Sequence, residues 1–190
     1  MRATLQRFLH SFASVLFAAT VAFAPCEGAL AQPYDRAQVE AAYLLNFIRY
    51  TEWPAAAMPP PEAPIVVVVY RASRTADALE AIAASGERIA GREIEVRATG
   101  SEERLARELR GAHVLYVGAD ADASAALAHA GDMVLTVGSA EGFSEVGGML
   151  CLVPQGNRVV FDANVGAIRA SGLSVSAKVL ALARRVEGKG

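Results

Sequence analysis

The sequence has few of the residues that support disulfide, metal and nucleophile chemistry: 190 residues hold two cysteines, three histidines and one tryptophan. Cys26 lies in an N-terminal segment that we expect to be removed, which leaves Cys151 alone in the mature chain. A single cysteine excludes a disulfide-stapled scaffold. Because Cys151 lies in the apolar run 149–153, a buried, inert thiol is favoured, and an intermolecular bridge is the alternative.

Catalytic and metal-binding signatures are also missing. His113 enters an apolar segment and His129 ends a predicted helix, and neither lies at a zinc-ligand spacing. Ser139 follows a predicted strand but lacks the glycines two residues to either side that a nucleophile elbow needs. Asp120 and Asp122 could share a cation, although capping of the next helix explains them better. We therefore expect no enzyme activity, no metal and no cofactor.

The sequence also lacks clusters of positively charged residues. The chain has 18 basic and 20 acidic side chains and a net charge of −2. Nucleic-acid binding needs clustered lysine and arginine, which the sequence does not have. It also has neither the glycine fingerprint of dinucleotide-binding proteins nor the lysine-bearing phosphate loop.

The N-terminus, in contrast, carries a clear targeting pattern. Arg2 and Arg7 precede an apolar run at 8–23, and Ala29 and Ala31 supply the small residues of a cleavage site. The pattern predicts a cleaved signal peptide at 1–31 and a single periplasmic domain at 32–190. A retained membrane anchor is the alternative, but the run is short for a spanning helix.

Strands and helices alternate in the rest of the chain, which predicts an α/β fold with a mostly parallel sheet of five to six strands and helices on both faces. Asp35 caps a first helix predicted at about 35–51, which Pro54 keeps from continuing. The apolar runs predict strands at 65–70, 94–99, 114–117 and 133–137, separated by helices at 75–85, 102–110 and 121–130.

The C-terminal third has a different pattern. Runs at 149–153 and 158–162, joined by a short turn, predict an antiparallel hairpin near one edge of the sheet. A helix at 165–170 follows, and Ser174 could cap a last helix with Val179, Leu182 and Val186 on one face.

Two regions are candidate binding surfaces. The carboxyl ends of parallel strands form the usual ligand crevice, which Ser73, Ser101, Asp120 and Ser139 would line. The end of the first helix carries aromatic and charged side chains beside a proline-rich loop, a composition typical of partner-binding surfaces. This partner corner consists of Arg49, Tyr50, Glu52, Trp53 and Pro54. The sequence leaves open whether Trp53 packs in the core or contacts a partner.

Three sequence blocks resemble the YfiR family. The first, at 43–54, contains Asn46 and the partner corner, and the second contains Gly147 and Gly148. The third runs from 160 to 180, and the resemblance covers roughly residues 38–184. Its signature positions are Phe161, Asn164, Arg169 and Lys178.

The resemblance implies a periplasmic α/β regulatory protein that catalyses nothing. It implies a repressor that contacts the periplasmic domain of an inner-membrane diguanylate cyclase, which limits cyclic di-GMP and biofilm formation. An outer-membrane lipoprotein could sequester the repressor. The oligomeric state stays open, and a homodimer is one candidate because symmetric pairs are the commonest oligomers. A periplasmic small-molecule receptor that uses the strand-end crevice is the second functional hypothesis. Relatives often carry a cysteine where this chain has Ala112 and His113, so their disulfide-dependent behaviour cannot be carried over.

Overall fold

The computed structural model describes residues 35–58 and 60–188, and the expected signal peptide at 1–31 lies outside them. The helices are α1 (Arg36–Arg49), α2 (Ser73–Ala84), α3 (Glu102–Glu108), α4 (Ala123–Ala128), α5 (Val165–Ala170) and α6 (Ala177–Leu180). The strands are β1 (Thr51–Glu52), β2 (Ile65–Tyr70), β3 (Ile94–Thr99), β4 (Val114–Val117), β5 (Leu135–Gly138), β6 (Leu150–Gln155), β7 (Arg158–Asn164), β8 (Ser174–Val175) and β9 (Arg185–Glu187).

The main sheet has the strand order β3-β2-β4-β5-β6-β7-β9. Strands β2 to β6 are parallel, β7 returns antiparallel to β6, and β9 pairs in parallel with β7. The predicted fold class and the hairpin near one edge are confirmed. The sheet is larger than the five to six strands predicted, because β9 adds a seventh strand beyond the hairpin.

Two apolar layers cover the sheet. All six residues of β2 are buried, and alternate side chains point to opposite faces because a strand has a period of two. Val67 and Val69 join a cluster with α1 and α2, whereas Val68 and Tyr70 join one with α3 and α4. Burial on both faces explains why β2 reads as a continuous β-branched run.

Helix α1 begins where the sequence predicts and ends earlier than residue 51. Asp35 is the N-cap, and its carboxylate accepts a hydrogen bond of 3.0 Å from the Ala37 N–H. At the other end, Thr51 and Glu52 pair with β8 in a separate two-stranded ribbon. The helix therefore stops at Arg49, because these two residues form backbone hydrogen bonds with a distant segment.

The predicted C-terminal helix with Val179, Leu182 and Val186 on one face is wrong. Only Ala177–Leu180 is helical, and Ser176 rather than Ser174 provides the cap. Val186 lies in β9, while Leu182 is 76% exposed. Pairing of this segment with β1 and β7 replaces the helical hydrogen bonds, a tertiary effect that local periodicity does not report.

Candidate functional site

A polar cleft of about 510 Å³ lies at the carboxyl ends of the central parallel strands. Strand β3 pairs with one side of β2 and β4 pairs with the other side. The strand order therefore reverses at β2, which makes the carboxyl end of this strand a topological switch point. The start of α1, the β2–α2 turn and the residues after β4 and β5 form the walls. The residues that line the cleft include Arg36, Glu40, Arg71, Ser73, Arg74, Thr75, Tyr116, Gly118, Asp120 and Ser139.

The structure brings together three of the four residues predicted to line the crevice. Ser73, Asp120 and Ser139 all line the cleft. Ser101 instead precedes α3, beyond the edge strand β3, on the opposite side of β2 from the cleft. The sequence indicates that each residue follows a strand, but only the strand order determines which strand ends are neighbours.

Glu40 is the most buried charged residue that lines the cleft, with a relative exposure of 5%. Its Oε1 accepts a hydrogen bond of 2.7 Å from Arg36 Nε, and its Oε2 accepts one of 2.8 Å from Thr75 Oγ1. The carboxylate thus joins one turn of α1 to the first turn of α2. Buried charges are retained where hydrogen bonds compensate for their desolvation, as these do.

Tyr116 lies beside this pair and is fully buried. Its hydroxyl group and the hydroxyl group of Ser139 are 3.0 Å apart and share a hydrogen bond. Burial raises the pKa of Tyr116, and the nearby Glu40 carboxylate raises it further. The phenol therefore stays protonated and can act as a hydrogen-bond donor at the bottom of the cleft.

Arg71 occupies the turn between β2 and α2 in an unusual backbone conformation, with φ at 52°. Its N–H donates to the Thr99 carbonyl at 3.0 Å, and Gly118 packs against its carbonyl group so closely that a Cβ at Gly118 would come within 2.2 Å of that oxygen. The backbone of Arg71 is therefore fixed from both sides. Its guanidinium lies 5.4 Å from the ring centre of Tyr70.

Glu40 and Tyr116 were missed by the reasoning from sequence, although one signal was available. Glu40 falls on the apolar face of α1, in helical register with Ala37, Ala41 and Leu44, where an unpaired carboxylate would be costly. That position indicates a buried polar contact. Its partner Thr75 lies on another helix and cannot be identified from the local sequence.

The predicted partner corner lies at the opposite end of α1, about 20 Å from the cleft by the rise of a 14-residue helix. Arg49 pairs with Glu87 at 2.5 Å, and Tyr50 is 47% exposed. Glu52 is exposed and pairs with Ser174 in the β1–β8 ribbon, while Pro54 approaches Gly172. The corner thus combines exposed side chains with a backbone that is hydrogen-bonded to β8.

Trp53 is half-buried and packs against the core cluster that includes α1. Its indole N–H is buried and has no hydrogen-bond partner. The structure thus places part of the ring against the core while its polar atom remains unsatisfied. Packing of the ring supports a core role, and the unsatisfied N–H supports a contact with a partner.

Three of the seven signature residues are structural in their placement. A Cβ on Gly148 would come within 2.2 Å of the Phe143 ring, and Phe161 packs edge-on to Phe47 with ring centres 5.0 Å apart. Asn164 caps α5, where its Oδ1 accepts from the Ala167 N–H at 2.9 Å. The other four signature positions are exposed on helices or in a turn: Asn46, Gly147, Arg169 and Lys178.

Cys151 is only partly buried, although a buried thiol was favoured. It lies opposite Asp162 in the β6–β7 pair. Burial is the main cause that raises the pKa of its thiol, so the reactive thiolate is disfavoured.

Comparison with protein families matches residues 37–184 to the profile described as YfiR/HmsC-like. The chain belongs to the YfiR/HmsC-like family. This is a family of periplasmic, non-catalytic regulators connected with diguanylate cyclase signalling. No curated protein matches the chain.

Two solved structures share the fold at low sequence identity. One is a conserved domain protein from Vibrio cholerae O1 biovar El Tor, with 13% identity and a TM-score of 0.54 over 80% of this chain. The other is an ABC domain in complex with L-Trp from Streptococcus pneumoniae, with 16% identity and a TM-score of 0.51 over 77% of this chain. The alignments cover 60% and 61% of those chains, so they establish the fold alone.

Two further observations concern the described residues only. Between residues 35 and 188, leaving out 59, no helix is long and apolar enough to cross a membrane. The same residues contain no cluster of three or more histidine, cysteine, aspartate or glutamate side chains arranged to hold a metal ion.

Proposed function

We propose that this family member is a periplasmic adaptor that restrains an inner-membrane diguanylate cyclase by binding the cyclase's periplasmic domain through the partner corner. Family membership over residues 37–184 is the observation that carries the proposal. Restraint of the cyclase would lower cyclic di-GMP and biofilm formation. A lipoprotein of the outer membrane could relieve the restraint by sequestering the adaptor.

The chemistry of the corner supports its assignment as the contact surface. Tyrosine, tryptophan and arginine are the residues that most often dominate binding energy at protein interfaces, and Tyr50, Trp53 and Arg49 lie together here. Pairing of β1 with β8 holds the backbone beside them, which reduces the conformational entropy lost on binding. A buried donor without an acceptor costs about 1–3 kcal/mol, so a complex that gives the Trp53 N–H an acceptor would be favoured.

The test combines recovery of a partner with a cellular readout. The tagged mature protein should recover a diguanylate cyclase from solubilised inner membranes, and deletion of its gene should raise cyclic di-GMP. The double variant Arg49→Ala, Tyr50→Ala should recover no cyclase and should fail to lower cyclic di-GMP in the deletion strain. Arg104→Ala, an exposed arginine on α3 across the sheet, is the matched control and should retain recovery and repression. Unchanged recovery and repression by the corner variant would contradict this contact surface.

A second function is favoured by the cleft: a periplasmic receptor for a small molecule. The cleft lies at the switch point where parallel α/β sheets usually bind ligands, and its volume falls in the usual range for such sites. The two functions are compatible, because the cleft and the corner occupy opposite ends of α1. Thermal shift measurements with metabolite pools would test the receptor function, since a ligand at 100 times its Kd adds about 2.7 kcal/mol of stability.

A further inference from the structure

In the part of the chain that the structure describes, the main sheet ends in β3 on one side and in β9 on the other. Strand β3 has six residues, whereas β9 has three. An edge strand leaves a row of backbone N–H and C=O groups unpaired, and another strand can bind to them. A very short edge strand offers few such groups. The edge at β3 is therefore the larger surface at which a second chain could extend the sheet.

The hydrogen bonds to β2 establish which backbone groups of β3 face outward. The Glu93 carbonyl accepts a hydrogen bond of 2.8 Å from the first residue of β2, and the Thr99 carbonyl accepts one of 3.0 Å from the residue after β2. Every second residue of a parallel strand bonds to the same neighbour. The backbone groups of Ile94, Val96 and Ala98 therefore face the open edge. Within residues 35–58 and 60–188, no strand pairs with that edge.

The side chains between these outward positions carry opposite charges. Glu95 and Arg97 are two residues apart and lie on one face of β3, where Arg97 Nε donates to Glu95 Oε1 at 2.7 Å. Arg97 Nη1 donates to the carbonyls of Glu108 and Arg110 at the end of α3. Arg97 Nη2 and Glu95 Oε2 make no hydrogen bond to any residue that the structure describes. Both side chains are partly exposed and can each bind a second partner.

The pattern of β3 is complementary to itself. Two-fold symmetry makes the strands of two copies antiparallel, because the rotation reverses the strand direction. A pairing centred on Val96 places Ile94 opposite Ala98 of the second copy, so all outward backbone groups are bonded. Glu95 then lies opposite Arg97 of the second copy, at positions where side chains approach closely. The neighbouring registers would instead place Glu95 opposite Glu95, or Arg97 opposite Arg97.

We propose that two copies of this protein associate through β3, as a two-fold-symmetric antiparallel extension of the main sheet centred on Val96. Backbone hydrogen bonds provide the attraction, and the Glu95–Arg97 pairs between the copies fix the register. The interface is polar and confined to one strand of each copy, so the association is reversible and depends on concentration. It requires neither the partner corner nor the cleft.

Sedimentation equilibrium of the full mature protein over a series of concentrations tests the interface. The wild type should dimerise reversibly. Glu95→Arg places positive charges opposite each other and should raise the Kd of the dimer by at least about tenfold, and Arg97→Glu should do the same with negative charges. An equimolar mixture of these two variants should associate again, because every pair between the copies then joins opposite charges.

Val96→Pro supplies an independent arm, because it removes the central outward N–H and leaves the hydrogen bonds to β2 in place. It should weaken association as strongly as Glu95→Arg. Glu187→Arg changes a charge on β9, the opposite edge, and is the matched control that should dimerise like the wild type. Circular dichroism establishes that each variant is folded. Should loss of the α3 contacts unfold Arg97→Glu, then Glu95→Arg and Val96→Pro decide the outcome.

Three results would overturn the proposal. The first is a wild type that stays monomeric up to its highest soluble concentration. The second is association that Glu95→Arg and Val96→Pro leave unchanged, or that the control on β9 abolishes. The third is a mixture of the two folded charge variants that remains monomeric, which would contradict the register.

Discussion

Val66 and His113 exchange two hydrogen bonds at the start of the central strands. The Val66 N–H donates to His113 Nδ1 at 3.0 Å, and the His113 N–H donates to the Val66 carbonyl at 2.9 Å. The first of these bonds requires a neutral imidazole ring with an unprotonated Nδ1. His113 thus has a structural role that continues the pairing of β2 and β4 by one residue.

This arrangement predicts that stability falls as the pH decreases below about 6.5. Burial lowers the pKa of His113, and the positive charges of Arg92 and Arg97 lower it further. Between the folded and the unfolded pKa of His113, the imidazole ring binds a proton in the unfolded chain but not in the folded chain. Protonation in this pH range therefore favours unfolding. Full stability should be present above the unfolded pKa, decline below it, and level off once the folded pKa has been passed.

Thermal unfolding at pH 5.0 and 7.5 would measure the effect. His113→Asn is the control, because its amide oxygen can accept the Val66 hydrogen bond and does not titrate. The difference in Tm between the two pH values should be smaller in this variant. An equal pH dependence in both proteins would assign the acid sensitivity to other groups.

Glu40→Ala should destabilise the domain by about 1–3 kcal/mol, because Thr75 and Arg36 would each lose an acceptor in the cleft. Urea denaturation followed by circular dichroism measures the change. Glu80→Ala, an exposed glutamate on α2, is the matched control and should change stability by less than about 0.5 kcal/mol. Equal effects in the two variants would show that the Glu40 contacts contribute little.

Gly148→Ala should destabilise the fold by about 1–3 kcal/mol, since an added methyl group would overlap the buried Phe143 ring. Gly131→Ala provides the comparison, because its Cβ would meet nothing within 4 Å. The midpoint of chemical denaturation should fall for the first variant only. Retained stability in Gly148→Ala would mean that Phe143 can move aside at little cost.

Arg184→Gln should increase local opening of the C-terminal strand β9. Arg184 makes two hydrogen bonds to the buried carboxylate of Asp162, at 2.9 and 2.5 Å, and so attaches the segment before β9 to β7. Hydrogen exchange at Val186 should accelerate in the variant, while exchange in β2 should not. Arg185→Gln, which removes an exposed pair with Glu187, is the control and should have the smaller effect.

The sequence by itself determined most of the local elements before residue 174. Strand β2 coincides with its apolar run at 65–70, and Asp35, Asn164 and Asp122 each cap a helix through the side-chain oxygen. These features depend on neighbours in the chain: alternation of side chains, the cost of proline in a helix, and unsatisfied N–H groups at helix starts. The α/β class follows from their order along the chain.

Only the tertiary structure decided which of these elements meet. The exclusion of Ser101 from the cleft follows from the position of β3 at the sheet edge, and the Glu40–Thr75 contact joins two helices. Residues 174–175 and 185–187 became strands because distant segments offered backbone partners. Such pairings form between residues far apart in sequence, so the local pattern that specifies each element does not specify its neighbours.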